Sequence, residues 1–269
     1  MPRGNHGQDG RGIRPRVSDD RFVHGRVSPH LKSWSRYYRH THGNTNEPSH
    51  PMNPQDLSST LNIKRALTDH PVLPILAARW SPYGFDRRPV ADADLRSLFE
   101  AARWAPSSYN EQPWNYLVAT QANPREFARL LSCLVDANQA WAKAAPVLVL
   151  GVVSLQFARN HKDNRAAVHD LGLAAGNLLA EATARGLSVH QMIGILPDKA
   201  REIYHIPDHY EAWTAIAIGY KADPTELSDE LKERDLVPRQ RKPLREFVFT
   251  GEWGNAVPLV LQPDTSARG

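Results

Sequence analysis

ADADLRSLFEAARWAPSSYNEQPWNYLVAT, residues 91–120, reads as a helix, a loop and a strand in succession. Leu95, Leu98, Phe99 and Ala102 recur at i, i+3, i+4 and i+7, the stripe of an amphipathic helix, and Pro106 stops it. Residues 114–120 follow as a strand, with Trp114, Tyr116, Val118 and Thr120 among them. Between the two, Ser107, Ser108, Asn110 and Gln112 crowd a short loop. Their hydroxyl and amide groups could line the polar edge of a heterocycle, or could close a turn on their own backbone.

The same alternation continues on both sides. Upstream, Pro71 opens a short helix over 71–79. Downstream, Asn123-Pro124 is an N-cap followed by proline at the first helical position, with Phe127, Leu130, Leu131 and Leu134 as the apolar stripe. Residues 163–186 form the longest helix, closed by Gly186. Its Gly172, Ala174, Ala175 and Gly176 offer a small-residue surface suited to close packing by neighbours. Strands are expected at 114–120, 146–153, 187–192, 211–220 and 244–250. Five strands among helices give an α/β or α+β domain with a central sheet. No GxGxxG and no GxxxxGK[ST] occurs, so neither a dinucleotide fingerprint nor a P-loop is present.

Charge separates the chain into two parts. Residues 1–55 carry nine Lys/Arg against four Asp/Glu, and the remaining 214 carry 24 against 25, so the basic excess lies at the start. That segment has only Ile13, Val17, Val23, Val27 and Leu31 as aliphatic content and is expected to be disordered. Residues 1–56 are thus read as a basic extension and 57–269 as the folded domain. The extension could be a transit peptide, a nucleic-acid contact through its basic residues with Trp34, Tyr37 and Tyr38, or translated sequence upstream of a start at Met52. Cys133 is the single cysteine, which excludes a disulfide framework and a zinc-finger array. The longest apolar run, 144–153, holds Pro146 and Gly151 and is too short to span a membrane. A cytoplasmic protein without a membrane partner is expected.

Two more segments can carry chemistry. Arg79-Trp80-Ser81 follows the first helix, and Arg239-Gln240-Arg241-Lys242 precedes the last expected strand. A guanidinium fork with a nearby hydroxyl suits a phosphate monoester, and two such segments could converge on one dianion. Pro207 between His205 and His209 argues against a helical metal pair, and no metal ligands are nominated. Cys133 lies on the apolar side of its helix as a core residue. Ser107 and Ser108 lack a GxSxG elbow.

In order, RWSPYGF, EAARWAPSSYNEQPWNYLVA, NQAWAKAAPVLVL, GLSVHQMIG with IPDHYEAWTAIAIGY, and RQRKPLREFV resemble the nitroreductase-like family of flavin-dependent oxidoreductases, from His70 to Phe249. The resemblance implies an α+β fold, a three-layer α/β/α arrangement with a central mixed sheet, and an intertwined homodimer with FMN at the subunit interface. It implies that Arg79, Trp80 and Ser81 meet the FMN phosphate and that Arg239 and Arg241 close on it. Asn138 matches an asparagine that hydrogen-bonds the flavin, and Ile193 and Gly194 match a segment whose backbone reaches the ring. Pro106, Ser107, Ser108 and Asn110 match the loop that the partner subunit lays against it.

The implied activity is passage of hydride from NADPH or NADH through FMN to an electron-poor small molecule such as a nitroaromatic or quinone. The cofactor carries that chemistry, and no catalytic side chain is nominated. Tyr83 and Trp141 stand where members often carry cations, which implies a lower flavin potential. Alternatives are a flavoenzyme of the same fold with a specialised substrate, and a flavin-binding module without NAD(P)H turnover.

Overall fold

A computed structural model of the chain describes residues 63–261. The expected extension 1–56, with Met52, Trp34, Tyr37 and Tyr38, lies outside the described residues. Strands β1 (Phe85–Asp86), β2 (Trp114–Thr120), β3 (Val147–Ser154), β4 (Ser188–Met192) and β5 (Tyr210–Lys221) form one sheet. β5 is its hub. One edge pairs with β3, while the other takes β4 along 215–219 and β1 at 220–221; β2 extends the sheet beyond β3. All four pairings are antiparallel. The sheet among the described residues is therefore antiparallel, not mixed as the resemblance implied, because the intervening helices return the chain to antiparallel neighbours.

β3 is buried from Val147 to Val153, and its alternation divides two cores. Val147 and Val149 face Leu95 and Leu98 of α2 (Asp92–Arg103) and Ala174 and Leu178 of α5 (Ala167–Ala184). Leu148, Leu150 and Val152 face Phe127 and Leu130 of α3 (Pro124–Leu131), Trp141 of α4 (Asp136–Ala142) and Ala200 of α6 (Pro197–Tyr204). A strand buried on both faces reads as a continuous hydrophobic run. β5 follows suit, with Ile216 and Ile218 toward α5 and Ala215 and Ala217 toward the other helices. This is a three-layer α+β fold. Two further α-helices are α1 (Pro74–Ala78) and α7 (Asp229–Leu236).

The local signals act as chemistry requires. Asn123 caps α3 by accepting from the Glu126 N–H at 3.2 Å. Gly186, at φ +73°, ends α5, and the Leu187 N–H returns to the Ala182 carbonyl at 2.8 Å. Cys133 is fully buried, and burial pushes its thiol pKa up.

Several expectations are corrected. The first helix begins at Pro74, not Pro71, because Leu73 is still extended at ψ 135°. The strand expected at 244–250 is a 3₁₀ turn at Leu244–Glu246 and a lone bridge between Phe249 and Ala256. There, Pro243 sets the turn and its carbonyl takes the Glu246 N–H at 3.0 Å. Ala174 and Ala175 are packed, but a Cβ on Gly172 or Gly176 would meet nothing within 4 Å, so these glycines open outward in the single chain. No helix among the described residues is long and apolar enough to cross a membrane.

Candidate functional site

Arg79 follows α1 on extended backbone and reaches the Ser81 hydroxyl at 3.4 Å. Arg239, beyond α7, donates to the carbonyls of Lys64 and Ala77 at 3.0 and 2.9 Å, which brings it beside Arg79. Arg241 donates to the Gln240 carbonyl at 2.7 Å. Arg241 lies close enough to both Arg79 and Arg239 to repel them electrostatically. Burial lowers the Arg79 pKa first, with Arg241 adding to it; burial lowers that of Arg239, with Arg79 and Arg241 adding to it. None of the three forms an ion pair with a carboxylate among the described residues. Trp80 stands under Lys64, whose Nζ is 5.0 Å from the ring centre. Two partly buried guanidiniums and the exposed one of Arg241, with no carboxylate paired to them among the described residues, favour an oxyanion, for which a guanidinium fork provides charge-assisted hydrogen bonds.

A second group forms where the loop after β4 meets α4. The Asn138 side-chain amide donates to the Gly194 carbonyl at 3.0 Å, and the Val135 N–H donates to the same oxygen at 3.1 Å. Gly194 is required: a Cβ there would lie 2.5 Å from Asn138 Nδ2 and 2.9 Å from Val135 Cγ2. Ile193 beside it is 77% exposed, an apolar side chain presented outward. β4 links this group to the arginines. His190 packs against the rings of Tyr83 and Trp141, with centroids 4.8 and 4.4 Å away. Its Nδ1 lies 2.8 Å from the Pro82 carbonyl and therefore carries the proton donated there. Tyr83 and Trp141, expected from the resemblance to stand where members often carry cations, thus pack on each other at 5.3 Å, and the Arg234 guanidinium sits 5.2 Å from the Tyr83 ring.

The loop following Pro106 is a third group. Tyr109, Asn110 and Gln112 all have φ near +55°, a left-handed conformation that non-glycine residues adopt at a cost. The Gln112 N–H donates to Ser107 Oγ at 3.0 Å, and the Ser108 N–H donates to Asp170 at 2.9 Å. Glu111 accepts from the Ala158 N–H at 2.6 Å. Tyr109 lies across from Phe157, and Arg159 covers its ring at 4.1 Å. None of these contacts reaches Arg79, Asn138, Gly194, Arg239 or Arg241.

The structure therefore brings Arg79, Trp80, Ser81, Arg239 and Arg241 together, pairs Asn138 with Gly194, and keeps Pro106, Ser107, Ser108 and Asn110 in a separate loop. His205 and His209 serve the backbone at positive φ, the first closing α6. Sequence reasoning missed the buried acids beneath the site. Asp170 carried a signal, as a lone carboxylate on the apolar stripe of α5 with Ala167 and Ala174. Asp235, within the charged DELKERDL of α7, carried none.

A family model for the nitroreductase family matches residues 76–220, more than half of the chain. The chain belongs to the nitroreductase family. A solved structure titled as an oxidoreductase containing FMN is 33% identical, covers 70% of this chain and 96% of its own, and superposes with a TM-score of 0.66. An uncharacterized 15.4 kDa protein of Mycolicibacterium smegmatis is 32% identical over 46% of this chain and 83% of its own length. A protein of Thermus thermophilus named NADH dehydrogenase is 29% identical over 56% of this chain and 90% of its own. This member of the nitroreductase family pairs Asn138 with Gly194 just beyond β4 and gathers its three arginines from the segments that follow α1 and α7.

Proposed function

We propose that this nitroreductase-family oxidoreductase, over residues 57–269, binds FMN and uses NADPH or NADH to reduce an electron-poor small molecule such as a nitroaromatic or quinone. The observation that carries the proposal is the convergence of Arg79, Arg239 and Arg241 with no carboxylate partner among the described residues. A phosphate dianion would relieve their mutual repulsion, and Ser81 would add a hydroxyl donor to it. The Asn138 amide and the backbone around Gly194 fit the polar edge of a heterocycle. Bound FMN would supply a two-electron carrier, taking hydride from the nicotinamide and passing it to the acceptor.

The chain's own residues then bind and orient. The arginines fix the phosphate end, and the tight Gly194–Asn138 contact sets the backbone near the ring. The loop with Pro106, Ser107, Ser108 and Asn110 meets neither group within one chain. Its proposed place against the ring therefore belongs to a homodimer, in which a second copy supplies it. The outward-facing Ile193, Gly172 and Gly176 support that reading.

The test is kinetic. The purified chain, with NADPH or NADH and a quinone or nitroaromatic, is expected to give parallel double-reciprocal lines, because donor and acceptor use one site in turn. Bound flavin that neither nucleotide reduces would identify a flavin-binding module instead.

A further inference from the structure

The turn that carries Arg79 and Ser81 toward the cluster is gripped from below by a buried carboxylate. Asp235, on α7, is 4% exposed. Its two oxygens accept the backbone N–H groups of Tyr83 at 2.8 Å and Gly84 at 3.0 Å. Gly84 fits closely over α7's neighbourhood: a Cβ there would lie 2.5 Å from Leu227. On the far side of the turn, His190 holds the Pro82 carbonyl. Lys64 faces the carboxylate electrostatically and donates to the carbonyls of Val237 at 2.6 Å and Arg234 at 3.3 Å. Arg239 then donates to the Lys64 carbonyl. One connected set of hydrogen bonds thus runs from α7 to both arginine-bearing segments.

We infer that Asp235 is a positioning residue of the phosphate site: its carboxylate fixes the turn at 82–84 and so holds Arg79 and Ser81 opposite Arg239 and Arg241. This rests on the reading that the arginine cluster takes the phosphate of FMN. Two considerations favour a role for the site over one for the fold. A buried carboxylate is costly to desolvate, and burial is what raises its pKa most here, so it is not a cheap way to hold a turn. It also forms no ion pair with an arginine among the described residues. Its oxygens are occupied by backbone N–H groups and its charge is offset by Lys64, so it holds the turn without drawing on the arginine cluster.

The experiment compares FMN with riboflavin, which shares the ring and ribityl chain but lacks the phosphate. Flavin-free full-length protein and its Asp235→Asn variant are titrated with each by fluorescence quenching. Asparagine keeps the shape but turns an NH2 toward one of the two N–H donors. FMN affinity is expected to fall about tenfold or more while riboflavin affinity changes by less than about twofold. A residue that merely supports the fold would weaken both flavins alike, so an unchanged FMN-to-riboflavin preference overturns the inference. Asp235→Glu provides the second variant: it keeps the charge, displaces the carboxylate, and is expected to lose the same preference. Failure of both variants to fold would assign Asp235 to the fold and overturn the positioning role. Wild-type protein with no preference for FMN over riboflavin would remove the phosphate reading itself, and this inference with it.

Discussion

Among the described residues Arg241 donates only to the neighbouring Gln240 carbonyl, so most of its hydrogen-bonding capacity there is open to a ligand. Arg241→Ala is expected to weaken FMN binding roughly ten- to hundredfold, with little change in the melting temperature of the flavin-free protein. A variant that purifies with full flavin content would remove Arg241 from the phosphate site. His190 makes a prediction of the opposite kind, in which binding is secondary and pH decides. Burial among Tyr83, Trp141 and Pro82 lowers its pKa in the folded chain, although Asp235 and the Pro82 carbonyl pull the other way. The unfolded chain, with histidine near 6.5, therefore takes up the proton first. Stability is full above that value, falls as pH drops through it, and levels once the folded-state imidazole is also charged. Denaturant melts between neutral and mildly acidic pH are expected to show this slope, and His190→Gln to flatten it. That the two arginine-bearing segments could meet was open in the sequence, since 237–243 alone reads as a solvated charge run; the fold brings Arg239 and Arg241 close to Arg79. His190 and Asp235 were not legible there, since only the folded chain shows what surrounds them.

The loop between α2 and β2 is held in an unfavourable backbone conformation by contacts outside itself. Asp170, almost fully buried on α5, accepts the Ser108 N–H and lies 3.0 Å from His169 Nδ1. Asp170→Ala would leave that N–H without its partner at the entrance to three left-handed residues. The variant is expected to lose about 1–3 kcal/mol of stability, seen in denaturant melts, and to be cut faster within residues 106–112 by protease. An unchanged cleavage rate would show that Glu111 and the Tyr109–Phe157 contact hold the loop by themselves. The helix before this loop and the strand after it were readable from period and proline alone. β2 spans residues 114–120 as expected, because apolar and aromatic residues there meet Pro113 and a turn at 121–123. The short helices α4, α6 and α7 were not readable, since seven or eight residues give too little periodicity to separate from loop. At 244–250 the apolar Phe247, Val248 and Phe249 imitate a strand, but local turn hydrogen bonds from Pro243 and Leu244 take their place.

At the scale of the whole molecule, the antiparallel sheet positions two of the three groups and leaves the third apart. Large apolar side chains also stand exposed in the single chain, including Leu67, Ile193, Trp253 and Leu259. Sedimentation velocity of the full chain is expected to give a dimer at micromolar concentration; a monomer that still binds flavin would show that the loop's second-copy role is wrong. The central claim is that the arginine cluster exists for the phosphate of FMN. It is tested most directly by purifying the full chain without added flavin, releasing any cofactor by denaturation, and identifying it by mass and visible spectrum. FMN in near-stoichiometric amount is the expected result. A colourless protein that also fails to take up added FMN would contradict the claim.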